Sequence, residues 1–147
     1  MTIAIEIPGP GDMQEIWDLL ASRPVDNWER WQVPIDCEWR VGKVKGVIEA
    51  VAIGRIDPQG YIFVEHMEAR YENGNPTPGA IAALPALENM LHDYADAFEL
   101  DVIGTTTLTN FRHMNALKHR GYEKVAYLWR RPPHAKRIRN EKKEGTV

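Results

Sequence analysis

The stretch Asn110–Tyr122, N-F-R-H-M-N-A-L-K-H-R-G-Y, constrains the fold more than any other part of this chain, because it sets a short helix between two β-prone runs. Asn110 stands where a helix can be capped, and Met114 and Leu117 fall three apart on one face. Gly121 is the residue type that ends a helix in the left-handed region. Before this helix, Asp101–Leu108 carries Val102, Ile103 and three threonines and reads as a strand. After it, Lys124–Arg130 reads as another.

The chain ahead of this unit supplies the rest of a sheet. Ile3, Ile5 and Ile7 alternate at the period of a half-buried strand, which Pro8–Gly11 breaks. Asp12 can cap a helix with apolar positions Met13, Ile16, Trp17 and Leu20, and Arg23-Pro24 ends it. Trp28 and Trp31, three apart, predict a second short helix before Pro34. Cys37–Val41, Val47–Ile56 and Tyr61–Tyr71 then read as an antiparallel meander, interrupted near Gly42-Lys43 and at Asp57-Pro58-Gln59-Gly60. The turn formers crowded between Tyr71 and Gly79 predict a loop. Leu84, Leu87, Leu91, Tyr94 and Phe98 repeat at helical spacing, and Pro85 is tolerable there only at a helix start or a kink.

At 147 residues with 44% hydrophobic content, the chain suffices for one sizeable core, read as a single domain over 1–131 with a basic tail over 132–147. The formal charge of -3 excludes a global nucleic-acid signature. The end is nevertheless basic: Arg130, Arg131, Lys136, Arg137, Arg139, Lys142 and Lys143 are opposed only by Glu141. Such a run is either a solvated tail or a contact for an acidic partner. Cys37 is the only cysteine, so no intrachain disulfide forms and an intracellular setting is expected. No signal peptide or membrane segment is expected either, since the N-terminus lacks a basic region followed by a long apolar one. His113 and His119 do not have the i, i+4 spacing of a zinc pair, so no metal is expected.

The order strand, two helices, three-strand meander, glycine-containing loop, helix, strand, helix, strand resembles the acyl-CoA N-acyltransferase fold of the GCN5-related N-acetyltransferase family. Asn110 together with the Gly121-Tyr122 pair carries the local part of the resemblance. It implies an α/β (α+β) fold, with a mixed, mostly antiparallel sheet flanked by helices over residues 2 to 130. It also implies acetyl-CoA as cofactor, held between the strands Tyr61–Tyr71 and Asp101–Leu108. The pyrophosphate would sit at the N-terminus of the helix that carries Leu84 to Phe98, where the dipole favours anions. Gly74, Asn75, Thr77, Gly79, Ala80 and Asn110 are the cofactor candidates on this reading. The family's glycine pattern is departed from, because Gly74 and Gly79 are five apart and Pro76 and Pro78 lack N–H donors.

Amine acetylation needs a base for the nucleophile and an acid for the leaving thiolate. The family's acid tyrosine falls about four residues before the closing glycine, where this chain has Leu117, so Tyr122, Tyr127 or water would have to substitute. Glu65, His66 and Glu68 lie beside the expected cleft as base candidates, with His66 and Glu68 on one strand face and Glu65 on the other. Glu65, Glu68 and Tyr122 are the catalytic candidates. The form N-x-x-H-M-x-x-L-K-x-x-G, from Asn110 to Gly121, also resembles small phage proteins of this fold, including internal virion proteins of short-tailed phages. That resemblance implies a non-catalytic virion or assembly component, located in the host cytoplasm or the phage particle. It would contact other phage proteins through a Trp-rich face or through the tail; of Trp17, Trp28, Trp31 and Trp39, core packing explains most, and an exposed pair would instead mark a docking surface. The departures at Leu117 and in the glycine loop favour this role over the alternative, an acyl-CoA-dependent enzyme.

Overall fold

Extended runs separated by turns and helices build the sheet. In the computed structural model, which describes residues 1–23, 36–105, 111–125 and 128–137, the first elements are β1 (Ile3–Glu6), a 3₁₀ turn (Pro10–Asp12) and α1 (Met13–Ala21). They are followed by β2 (Glu38–Val44), β3 (Val47–Asp57), β4 (Tyr61–Ala69), β5 (Tyr71–Glu72) and β6 (Asn75–Pro76). The chain continues with α2 (Pro78–Ala97), β7 (Asp101–Thr105), α3 (Phe111–His119), β8 (Glu123–Val125) and β9 (Leu128–Arg131). The strand order is β1-β2-β3-β4-β7-β9-β8, with β4 and β7 parallel and β5-β6 forming a separate hairpin. The fold is thus the mixed, mostly antiparallel sheet with flanking helices. The helix expected around Trp28 and Trp31, the cap at Asn110, Tyr127 and the tail beyond Arg137 lie outside the described residues.

The chain divides into two compact units, one comprising 1–55 and 64–93, the other 56–63 and 94–147. In the first, α1 buries Ile16, Leu19 and Leu20 against Val41, Ile48, Val51 and Ile53, and Met13, Trp17, Cys37 and Trp39 pack around them. Trp17 and Trp39 meet edge to face, with centroids 5.8 Å apart, so both belong to this core rather than to a free docking face. A second cluster in the same unit joins Ala83 and Leu87 of α2 to Val44 and Ala50. Gly42 permits that contact, since a Cβ there would stand 3.1 Å from the Ala83 Cβ.

Several expectations change in detail. The β2–β3 turn lies at Lys45-Gly46, both with positive φ, and β2 continues through Gly42-Lys43, where its register against β3 shifts. Two consecutive left-handed residues suit the twist of a tight hairpin. The same chemistry makes Asn73-Gly74 a two-residue turn between β5 and β6, where a loop was expected. Ile5 and Ile7 are exposed because β1 is the edge strand, with Ile3 alone of its isoleucines packed on a core. The run Lys124–Arg130 is not one strand: β8 and β9 pair antiparallel, with Val125 opposite Leu128. The helix of the leucine repeat starts at Pro78, ahead of Pro85. The carbonyl that Pro85 cannot serve belongs to Ile81, a residue 64% exposed, so solvent reaches that turn.

In the second unit, β7 pairs with β9 and β9 with β8, and α3 closes in the left-handed turn expected at Gly121 (φ +88°). The Tyr122 and Gly121 N–H groups donate to the carbonyls of Leu117 and Lys118. Arg131, only 1% exposed, forms a forked ion pair with Asp96 at 2.8 and 3.4 Å and also donates to the Ala135 carbonyl at 2.9 Å. Tyr94 and Phe98, expected on the buried stripe of the long helix, are instead 40% and 62% exposed and stack on one another at 4.6 Å.

Candidate functional site

A break in strand register builds the most structured polar cluster of the first unit. β2 and β3 pair as Gly42–Ala50 and then as Lys43–Ile48, which leaves Glu49 without an opposite residue. This one-residue bulge turns Ile48 to the same core as Val51 and Ile53, while Ala50 joins the core beneath α2. It also aims Glu49 at the first turn of α2, where the Thr77 hydroxyl donates to its Oε2 at 2.5 Å.

The first turn of α2 is built by Thr77-Pro78-Gly79-Ala80. Thr77 caps it, its Oγ1 accepting the Ala80 N–H at 3.1 Å and its carbonyl accepting the Ile81 N–H at 3.0 Å. Pro78 takes the first helical position, where no N–H is needed. A Cβ on Gly79 would lie 2.6 Å from Glu49 Cδ and 2.8 Å from its Oε1, so the carboxylate occupies the space that glycine leaves open. Negative charge at this end of a helix is stabilised by the dipole. Arg70 stands behind it, Nε 3.9 Å from Glu49 Oε2 and Nη2 3.5 Å from Glu15 Oε1. Its Nε also donates to the Ile48 carbonyl at 2.9 Å, and its backbone carbonyl accepts the Thr77 N–H at 3.0 Å.

Of the cofactor candidates, Thr77, Gly79 and Ala80 therefore meet at one place, together with Glu49 and Arg70, which sequence reasoning missed. The available signal was a lone carboxylate inside the apolar run V-I-E-A-V-A-I. Gly74 and Asn75 belong instead to the exposed β5–β6 hairpin, and Asn110 lies outside the described residues. On β4, Glu68 Oε1 accepts from Arg23 Nη1 at 2.5 Å and faces His66 Nδ1 at 3.9 Å. Glu65 is held more loosely, 3.8 Å from Arg55 Nε. Burial pushes the nearby Cys37 thiol up, and the Glu65 and Asp36 carboxylates add to that. Tyr122 is buried, 8% exposed, in the second unit, and so is Leu117. Among the described residues no group of three potential ligands could hold a metal, and no helix is long and apolar enough to cross a membrane.

Two features bear on whether a CoA thioester fits. Among the described residues β4 and β7 are paired from Tyr61–Asp101 to Phe63–Ile103, and β4 runs on to Ala69. At the start of α2, by contrast, the residues do not accept a pyrophosphate as they stand. The Glu49 carboxylate fills the place, the Ala80 N–H is turned to Thr77, and Pro76 and Pro78 have no N–H.

No protein-family model and no curated protein matches the sequence. Solved structures do. The ribosomal-protein-S18-alanine N-acetyltransferase of Escherichia coli superposes with a TM-score of 0.73 at 10% identity, over 95% of this chain and 99% of that one. Ard1 from Thermoplasma volcanium gives 0.69 at 12% identity, over 90% and 99%. Arabidopsis thaliana Naa50, in complex with the bisubstrate analogue CoA-Ac-MVNAL, gives 0.65 at 9% identity, over 88% and 96%. The fold of this chain is that of the acyl-CoA N-acyltransferases.

Proposed function

We propose that this chain is an acetyl-CoA-dependent N-acetyltransferase whose acceptor is a polypeptide amine. The observation that carries the reading is the end-to-end likeness to an enzyme named for acetylating a ribosomal protein, with nearly the whole of both chains covered. The CoA-peptide analogue bound to Naa50 supports the same donor and acceptor class.

An ammonium acceptor must lose a proton before it attacks a thioester, and Glu65 is assigned as the base. Its carboxylate is the less committed of the two on β4, because Glu68 is engaged by Arg23 at 2.5 Å. Glu68 then ties the end of β4 to Arg23, two residues past α1. The leucine at 117 has no proton to give, so in this scheme the leaving thiolate takes its proton from water. A virion or assembly role has no comparable support, and Trp17 and Trp39 are partly buried against the core of the first unit.

Thermal unfolding in the presence of acetyl-CoA tests the donor. Specific binding at about 100 times the dissociation constant stabilises the folded state by about 2.7 kcal/mol, a rise of several degrees in midpoint. An unchanged midpoint at millimolar acetyl-CoA, for the wild-type chain and for a Glu49→Gln variant alike, removes the proposal.

A further inference from the structure

We infer that Glu99 and His134 form a pH-gated clasp, which holds residues 132–137 to the end of α2 while the imidazole is charged and loosens when it is neutral. The inference goes beyond the acetyl-transfer reading and does not depend on it. It rests on a coincidence of backbone strain and pairing. At the end of α2 the Leu100 N–H donates to the Ala95 carbonyl at 2.8 Å and the Glu99 N–H to that of Asp96 at 3.4 Å, which puts Glu99 at φ +54°. Glycine is the usual residue at such a helix end. Beyond β9, the Ala135 N–H donates to the Pro132 carbonyl at 3.2 Å and closes a turn whose third residue, His134, has φ +59°. Glycine or asparagine is usual there too. The two side chains that occupy these left-handed positions meet one another, with His134 Nε2 2.7 Å from Glu99 Oε1.

Histidine is the side chain whose ordinary titration falls near neutrality. The charged groups that face this one are Glu99 just past α2, Asp96 in the last turn of α2, and Arg131 at the end of β9. The contact with Glu99, joined by the charge of Asp96 and opposed by that of Arg131, holds the imidazole above its ordinary value of 6.5. A value raised in the folded state gives a contact that is complete below 6.5 and lost as pH rises through the folded value. The neutral ring keeps at most a hydrogen bond to Glu99. The backbone lays out what the clasp holds. The His134 N–H donates to Asp96 Oδ1 at 2.7 Å, Arg131 Nη2 donates to the Ala135 carbonyl at 2.9 Å, and the Lys136 carbonyl oxygen lies 2.8 Å from where a Cβ of Gly121 would stand. Release at His134 thus weakens the hold on Lys136 and Arg137, the cations that follow the turn.

Two NMR measurements on the full chain test the clasp, with Glu99→Gln and His134→Gly as variants. Glutamine keeps the shape of Glu99 without its charge, and glycine suits the left-handed backbone at 134, so both variants keep the fold. The imidazole signal that disappears in His134→Gly is that of His134. Its titration midpoint should lie above that of an unstructured peptide in the wild type and fall in Glu99→Gln. Amide exchange at Ala135, corrected for the intrinsic rate at each pH, should speed about two- to fivefold between about pH 5.5 and about pH 8.5 in the wild type and change little in either variant. A His134 midpoint that is the same in wild type and Glu99→Gln overturns the inference. So does corrected Ala135 exchange that is equal at the two pH values in the wild type, or that keeps its full pH dependence in the variants.

Discussion

Asp96→Ala is expected to lower the unfolding free energy by about 3–5 kcal/mol, the range found when one partner of a buried ion pair is removed. The effect is large because Arg131 is 1% exposed and Asp96 supplies both of its carboxylate contacts, at 2.8 and 3.4 Å. The same carboxylate accepts the His134 N–H at 2.7 Å, so its loss also releases the segment that follows β9. Urea unfolding of the two proteins gives the difference, and a loss below about 1 kcal/mol would mean that the pair is not buried as described. The double variant Asp96→Leu with Arg131→Met should recover much of the loss, because apolar side chains leave no uncompensated charge.

The pair also sets a pH signature. The Arg131 guanidinium, with help from the His134 N–H, holds the Asp96 carboxyl below its ordinary value of 3.8. A lowered folded-state value contributes stability that is present above the unfolded value and lost as pH falls through the folded one. The part of the stability difference between wild type and Asp96→Ala that comes from the Asp96 carboxyl should therefore shrink as pH falls below 3.8.

Gly121→Ala is the second large effect, with an expected cost of about 3 kcal/mol. The residue has φ +88°, where an L side chain is strained by about 1–2 kcal/mol. In addition, its Cβ would stand 2.8 Å from the Lys136 carbonyl oxygen and 3.0 Å from the Ala135 Cβ, so residues 135 and 136 would have to move. Gly74→Ala is the control. Gly74 has nearly the same φ, +80°, but nothing lies within 4 Å of its Cβ position. Its cost should be the strain alone. Thermal melts that place the two variants at the same midpoint would contradict the packing of the 135–136 segment on Gly121.

What could be read from the sequence was local. The closing turn at Gly121 needs only one residue type after a short helix, and the strand read over Val47–Ile56 survives as β3. The hairpin at Asn73-Gly74 was equally legible by its turn chemistry, but the prolines around it read as loop. Features that depend on distant partners were not legible. Glu49 is displaced by a register shift against β2, which no periodicity within β3 records. Arg131 reads as the first residues of a basic tail until Asp96, thirty-five positions away, is placed against it. Tyr94 and Phe98 continue the helical repeat of Leu84 and Leu87, yet toward the end of α2 the buried positions are His92 and Ala95, and the repeat faces solvent.

The most direct test of the central claim is acetyl transfer itself, followed by mass spectrometry of peptides with free α-amines incubated with acetyl-CoA and the full chain. The account predicts one acetyl group gained per peptide and an equal amount of free CoA thiol, with the rate reduced about 100-fold by Glu65→Gln. Peptides left unmodified by both the wild-type chain and Glu49→Gln, under conditions where acetyl-CoA is bound, would contradict it.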